Sequence, residues 1–198
     1  MEYIVDKFFY IIKNLTKNDR TFLLELMPKN SICAELGVWK GEFSKEILEI
    51  VKPKELHLID PWKYEHDKTY EKACYGGKIG SQELMDQIFD QVTKQFQNEI
   101  TNNQVFIHRK SLINIGNNLA DNYFDWVYID GNHLYEFVKK DLEFFYKKVK
   151  KGGFITGDDY RRGGWFKGGV RKAVKEILKD KNMKKIKIKN GQFILEKI

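Results

Sequence analysis

Polar residues with chemical potential fall where short apolar runs of this sequence stop: Glu35 with Gly37, Asp60, Ser111, Asp130, and Asp158 with Asp159. In an open α/β sheet, ligands bind outside the carboxyl ends of the strands, so residues at those ends are the first candidates for function. In AELGVWKGEF, Gly37 and Gly41 flank a turn into a helix, where missing side chains let a ligand reach the backbone and the helix N-terminus. The spacing is not the GxGxxG of a pyrophosphate site, and Glu35 would repel phosphate. A nucleoside carrying a cationic group fits better, with a ligand-free glycine turn as the alternative. Asp60 follows Gly37 by 23 residues and ends HLID, the place for a carboxylate that accepts hydrogen bonds from a ribose diol. An Asx turn before Pro61 would explain the same residue. Ser111 either caps a helix or touches a base edge.

The segment FDWVYIDGNHLYEFVKKDL places His133 three residues after Asp130, and a neutral imidazole can accept a proton near physiological pH. GGFITGDDY then brings Asp158 and Asp159 to a neighbouring strand end. Three converging carboxylates repel one another unless a cation lies between them. All-oxygen ligation favours Mg²⁺, so Asp130, Asp158 and Asp159 are expected metal ligands, with helix capping as the alternative for Asp159. His57 is expected to pack within its strand, and His66 and His108 lack Cys or His partners at zinc spacing. The loop YRRGGWFKGGV could close over a substrate. Trp62, Tyr64, Tyr75, Trp165 and Phe166 are expected on the rim, where they could stack on a sugar or a phenol.

The elements that must position these residues follow from periodicity. Residues 31–36, 55–59, 105–108, 124–129 and 153–156 read as strands, separated by segments long enough for helices, which predicts a parallel sheet built from βαβ units. Leu134, Val138, Leu142, Phe145 and Val149 form one helical stripe, and Val170, Ala173, Val174, Ile177 and Leu178 form another. Ser81 is a candidate N-cap closing a long insertion near the mouth of the site. Asn190-Gly191 between two lysine-rich and apolar runs predicts an antiparallel hairpin at the carboxyl end. Residues 1–30 are expected to form two amino-terminal helices packed on one domain spanning 31–198, and those helices are a candidate surface for a homodimer.

The chain has 198 residues, 42% of them hydrophobic and 14% aromatic, enough to build a core and too apolar for a disordered chain. No run approaches the roughly 20 apolar residues of a membrane span. The amino terminus lacks the pattern of a secretory signal, and Cys33 and Cys74 form no disulfide framework, which fits a reducing cytoplasm. Of the net charge of +7, residues 139–198 carry 19 Lys and Arg against 7 Asp and Glu, a balance of +12 that leaves −5 for the rest. An anionic partner such as nucleic acid would explain this, and so would a solvated helix face with a lysine-guarded edge strand.

AELGVWKGEFS, LHLIDPW, FDWVYIDGNHLYEFVKKDL and VKKGGFITGDDY, taken in order, resemble the class I S-adenosylmethionine-dependent methyltransferases, especially the small O-methyltransferases with an IDGxHxY signature. The resemblance runs from about Ser31 to the carboxyl end. It implies a single Rossmann-like α/β domain with a seven-stranded, mostly parallel sheet in the order 3-2-1-4-5-7-6 and helices on both faces. It also implies that Glu35, Gly37 and Gly41 surround the amino-acid part of S-adenosylmethionine, that Asp60 binds the ribose and that Ser111 lies near the adenine. Asp130, Asp158 and Asp159 match the ligand positions of the divalent-cation-dependent branch, with Asp130 and His133 at the reacting centre. Two departures stand out: catechol enzymes have a lysine where this chain has His133, and GEFS carries an extra residue before Ser44. The expected activity is O-methylation of a hydroxyl on a small molecule or sugar with divalent-metal assistance. The alternatives are a nucleic-acid methyltransferase, against which the missing N/D-P-P-Y/F motif weighs, and a non-catalytic module binding a nucleoside cofactor.

Overall fold

The computed structural model describes residues 20–77, 80–115 and 119–198. The first of the two expected amino-terminal helices lies outside them. The second is α1 (Thr21–Leu26), whose Leu23 and Leu24 are fully buried against the domain. The chain then alternates β1 (Ile32–Leu36), α2 (Glu42–Ile50), β2 (Glu55–Ile59), α3 (Gln82–Gln95), α4 (Gln97–Thr101), β3 (Val105–His108), α5 (Leu112–Ile115), β4 (Phe124–Ile129), α6 (Tyr135–Lys148), β5 (Val149–Gly157), α7 (Gly169–Asp180), β6 (Met183–Lys189) and β7 (Gln192–Lys197).

The strands form one seven-stranded sheet in the order β3-β2-β1-β4-β5-β7-β6, with β1 to β5 parallel and β7 antiparallel to both its neighbours. This is the expected fold class. Strand residues alternate between the two faces, and helices cover both. Ala34, Leu36, Val127, Ile129 and Ile155 pack with Val138, Leu142 and Phe145 of α6 and with Val170, Val174 and Ile177 of α7. Their sequence neighbours Cys33, Trp126 and Tyr128 point the other way, onto Leu23 and Leu24 of α1, Ile47 of α2, and Met85, Ile88 and Val92 of α3. Ser81 caps α3 as expected, its hydroxyl accepting from the Leu84 amide at 3.2 Å. Asn190 and Gly191 both adopt positive φ, as a two-residue hairpin turn requires, and set Lys189 opposite Gln192.

β5 begins four residues earlier than its apolar run suggests, because α6 passes straight into Val149, which pairs with Phe124 across an irregularity in the ladder. Among the described residues, β6 is an edge strand, so Lys184, Lys185, Lys187 and Lys189 lie along that border of the sheet. Among the described residues, no helix is long and apolar enough to cross a membrane.

Candidate active site

The parallel strands all end on the same rim, and there the chain opens a cavity of about 1200 Å³. Glu35, Gly37, Asp60, Ser111, Asp130, His133 and Asp159 all line it. Asp158 lies just beneath, with 5% of its surface exposed. The insertion after β2 supplies Glu65 and residues 72–75 to the mouth.

β1 delivers Glu35 to the floor, where it is 1% exposed and accepts a hydrogen bond from Ser44 Oγ at 2.5 Å. Burial raises its carboxyl against the pull of that hydrogen bond, to about 8. Ser44 is fully buried and acts through Glu35. Gly37 has φ +87° and hydrogen-bonds the Ile59 carbonyl, and a Cβ there would lie 2.1 Å from the Asp130 carbonyl oxygen. The turn therefore needs glycine because the ends of β1 and β4 touch, in addition to any ligand that approaches.

Asp60 clamps two loops. Its Oδ2 accepts from the Val38 and Trp39 amides at 2.9 and 3.1 Å, and its Oδ1 accepts from the Trp62 amide at 2.7 Å, which is the Asx turn before the next segment. Burial raises its pKa, opposed by these three backbone donors. Two carboxylate oxygens offer about four acceptor sites, so one remains for a ligand hydroxyl. Ser111 opens α5, its carbonyl accepting from the amides of Asn114 and Ile115.

At the end of β4, His133 Nε2 lies 3.2 Å from Asp130 Oδ1. Its Nδ1 is 2.9 Å from Asp159 Oδ2, an ion-pair contact outside hydrogen-bond alignment. Burial pushes the imidazole pKa down, but Asp130 and Asp159 outweigh it and lift it to about 9. The ring expected to accept a proton thus already holds one at neutral pH, and the acceptor beside it is Asp130 Oδ1, which keeps a second lone pair beyond its contact with the ring. Asp158 is raised to about 6 by burial and by Asp130, with Arg20 opposing both.

The three aspartates do converge, but their oxygens are occupied. Arg20 reaches from just before α1 with Nη1 2.9 Å from Asp130 Oδ2 and Nη2 2.8 Å from Asp158 Oδ2. Gln192 Nε2 and the Asp159 amide donate to Asp158 Oδ1 at 2.5 and 2.6 Å, and Arg161 Nε is 3.0 Å from Asp159 Oδ1. Among the described residues, no group of three His, Cys, Asp or Glu side chains is arranged to hold a metal ion. The expected Mg²⁺ site therefore does not fit this donor set.

Sequence reasoning missed Arg20, whose partners lie 110 and 138 residues away and leave no local spacing to read. It also missed Asp141, a cavity-lining carboxyl that burial pushes up to about 7. The expected aromatic rim is only partly present. Tyr75 and Trp165 line the cavity, whereas Trp62 is a 1% exposed wall residue, Phe166 is buried, and neither Tyr64 nor Phe166 reaches the cavity. Trp62 is held down because its indole N–H donates to the Trp39 carbonyl at 2.9 Å. His57 packs as expected, stacked between Phe106 and His108.

A family model described as a methyltransferase domain matches residues 34–160. Among solved structures, the chain is similar to the O-methyltransferase TomG of Streptomyces achromogenes, involved in tomaymycin synthesis and solved with SAM. The TM-score there is 0.60 at 13% identity, over 91% of this chain and 78% of that one. It is similar to a Bacillus cereus O-methyltransferase solved with SAH at TM-score 0.59 and 14% identity, over 90% and 78% of the two chains. A protein of Acanthamoeba polyphaga mimivirus described as uncharacterized is 42% identical over 59 residues, 30% of this chain and only 26% of that protein's length.

Proposed function

The chain belongs to the methyltransferase-domain family, and from that premise we propose that it transfers the methyl group of S-adenosylmethionine to a hydroxyl of a small-molecule or sugar acceptor. One observation carries this reading: a single cavity at the strand ends gathers a buried carboxyl, Glu35, a loop-clamping carboxylate, Asp60, and the Asp130–His133 pair. The residues fit a sulfonium nucleoside. Glu35 and the turn at Gly37 face its cationic amino-acid end, Asp60 offers its remaining acceptor site to a ribose hydroxyl, and Ser111 lies at the base.

When bound, S-adenosylmethionine supplies a methyl group that is already electrophilic. The chain's task is then to align the acceptor oxygen and take its proton, a matter of positioning and fixed charge. Asp130 Oδ1 accepts that proton, and His133 orients the carboxylate from one side while contacting Asp159 on the other. Tyr75 and Trp165 provide flat apolar surface for the acceptor at the mouth.

Isothermal titration with S-adenosylhomocysteine and with NAD tests the reading. We expect S-adenosylhomocysteine to bind, Asp60→Ala to weaken it by at least tenfold, and NAD not to bind. Tight binding of NAD with none of S-adenosylhomocysteine would reverse the assignment.

A further inference from the structure

The arrangement around Arg20 bears on how the acidic cluster is balanced. Asp130 Oδ2 and Asp158 Oδ2 are the two oxygens that converge across the gap between the ends of β4 and β5. Each is met by a different nitrogen of one guanidinium, at 2.9 and 2.8 Å. Arginine is the residue suited to this task, since its planar fork carries a charge that persists at every physiological pH and presents parallel donors to two acceptors. The guanidinium is also fixed from behind, lying 5.3 Å from the centre of the Phe43 ring and 5.7 Å from that of Tyr128. Its side chain is 26% exposed and lines the cavity, so the positive charge faces the place where an acceptor would lie. The outer oxygens are held too, by Gln192 on Asp158, Arg161 on Asp159 and His133 on Asp130.

The geometry points to Arg20 as the built-in cation of this site, a positioning residue that takes the place a divalent metal would need, so that the chain works without one. A divalent ion of this class needs several free carboxylate or water oxygens at about 2.0–2.6 Å. Here the two convergent oxygens are already covered by a tethered cation that does not dissociate. Removing Arg20 would leave the buried Asp158 and the half-buried Asp130 carboxylates facing each other and would create the vacancy that attracts a metal.

The inference rests on the methyl-transfer reading only for its catalytic consequence, so its test reads metal binding directly. Mn²⁺ binding is followed by the loss of the free-ion electron paramagnetic resonance signal, in wild type, Arg20→Lys and Arg20→Gln, with circular dichroism confirming that each is folded. Wild type and Arg20→Lys are expected to leave the signal intact, and Arg20→Gln to bind Mn²⁺ at least tenfold more tightly. S-adenosylhomocysteine titration of the same samples with and without EDTA is expected to give the same affinity for wild type. Stoichiometric Mn²⁺ binding by wild type would overturn the inference, whatever Arg20→Gln does. A folded Arg20→Gln that binds no Mn²⁺ would overturn it as well, because the freed carboxylates would then not be a metal site in waiting. Failure of S-adenosylhomocysteine to bind at all would instead sink the methyl-transfer reading and leave the Mn²⁺ result standing.

Discussion

Glu35 shows how one buried group can couple ligand binding to pH. Burial holds its carboxyl near 8 despite the Ser44 hydrogen bond, so the free protein keeps it protonated at neutral pH. A ligand ammonium placed against it favours the ionised form, and binding then expels a proton. Below about pH 8, affinity should therefore rise with pH, and it should level off once the free carboxyl is ionised. Titrations of S-adenosylhomocysteine in buffers of different ionisation enthalpy should show release approaching one proton per site near neutrality, and Glu35→Gln should show none. A wild-type enthalpy that ignores the buffer would take Glu35 out of contact with the ligand. Glu35, Asp60, Asp130 and His133 were all legible as candidates because strand ends announce themselves in the sequence. Their states were not, since the proton on His133 and the one on Glu35 depend on what surrounds them in space.

The strand-to-helix turn after β1 is the element that joins the ends of β1 and β4 at the cavity. The contact of Gly37 with the Asp130 backbone ties it to the end of β4. Alanine there would meet the Asp130 carbonyl oxygen at 2.1 Å and would have to hold φ +87°. Strain and clash together should cost on the order of 3 kcal/mol. For a chain of this size that is about 6–12 °C in Tm, measurable by thermal unfolding. A Gly37→Ala variant that melts with wild type would show that the two strand ends can separate freely. The elements themselves were largely readable. Period-two and helical patterns locate β1 to β4, α6 and α7 to within a residue or two, and Asn190-Gly191 declares the hairpin. The early start of β5 was not readable, because residues 149–152 carry lysines and a glycine and, of the four, Val149 alone pairs with β4, at Phe124. Trp62 misled for a related reason: its position beside a turn suggests the rim, but a hydrogen bond to Trp39 draws it inward.

At the scale of the molecule, the basic carboxyl-terminal region resolves in part into the lysine row of β6 at the border of the sheet. Charged side chains on an open strand discourage a second chain from pairing there. Replacing Lys184, Lys185, Lys187 and Lys189 with threonine takes four charges from the net +7, leaving +3, and should produce concentration-dependent association by light scattering. A variant that stays monodisperse would assign those lysines another purpose. The link from Arg20 to Asp130 and Asp158 also spans most of the described fold, joining a residue ahead of the first strand to the ends of the fourth and fifth. During translation the arginine leaves the ribosome long before either partner exists. Contacts so distant along the chain carry a loop-closure cost that pairing of the intervening strands reduces. The full charge balance of the pocket, which needs both aspartates, is thus absent from every nascent chain that ends before Asp158.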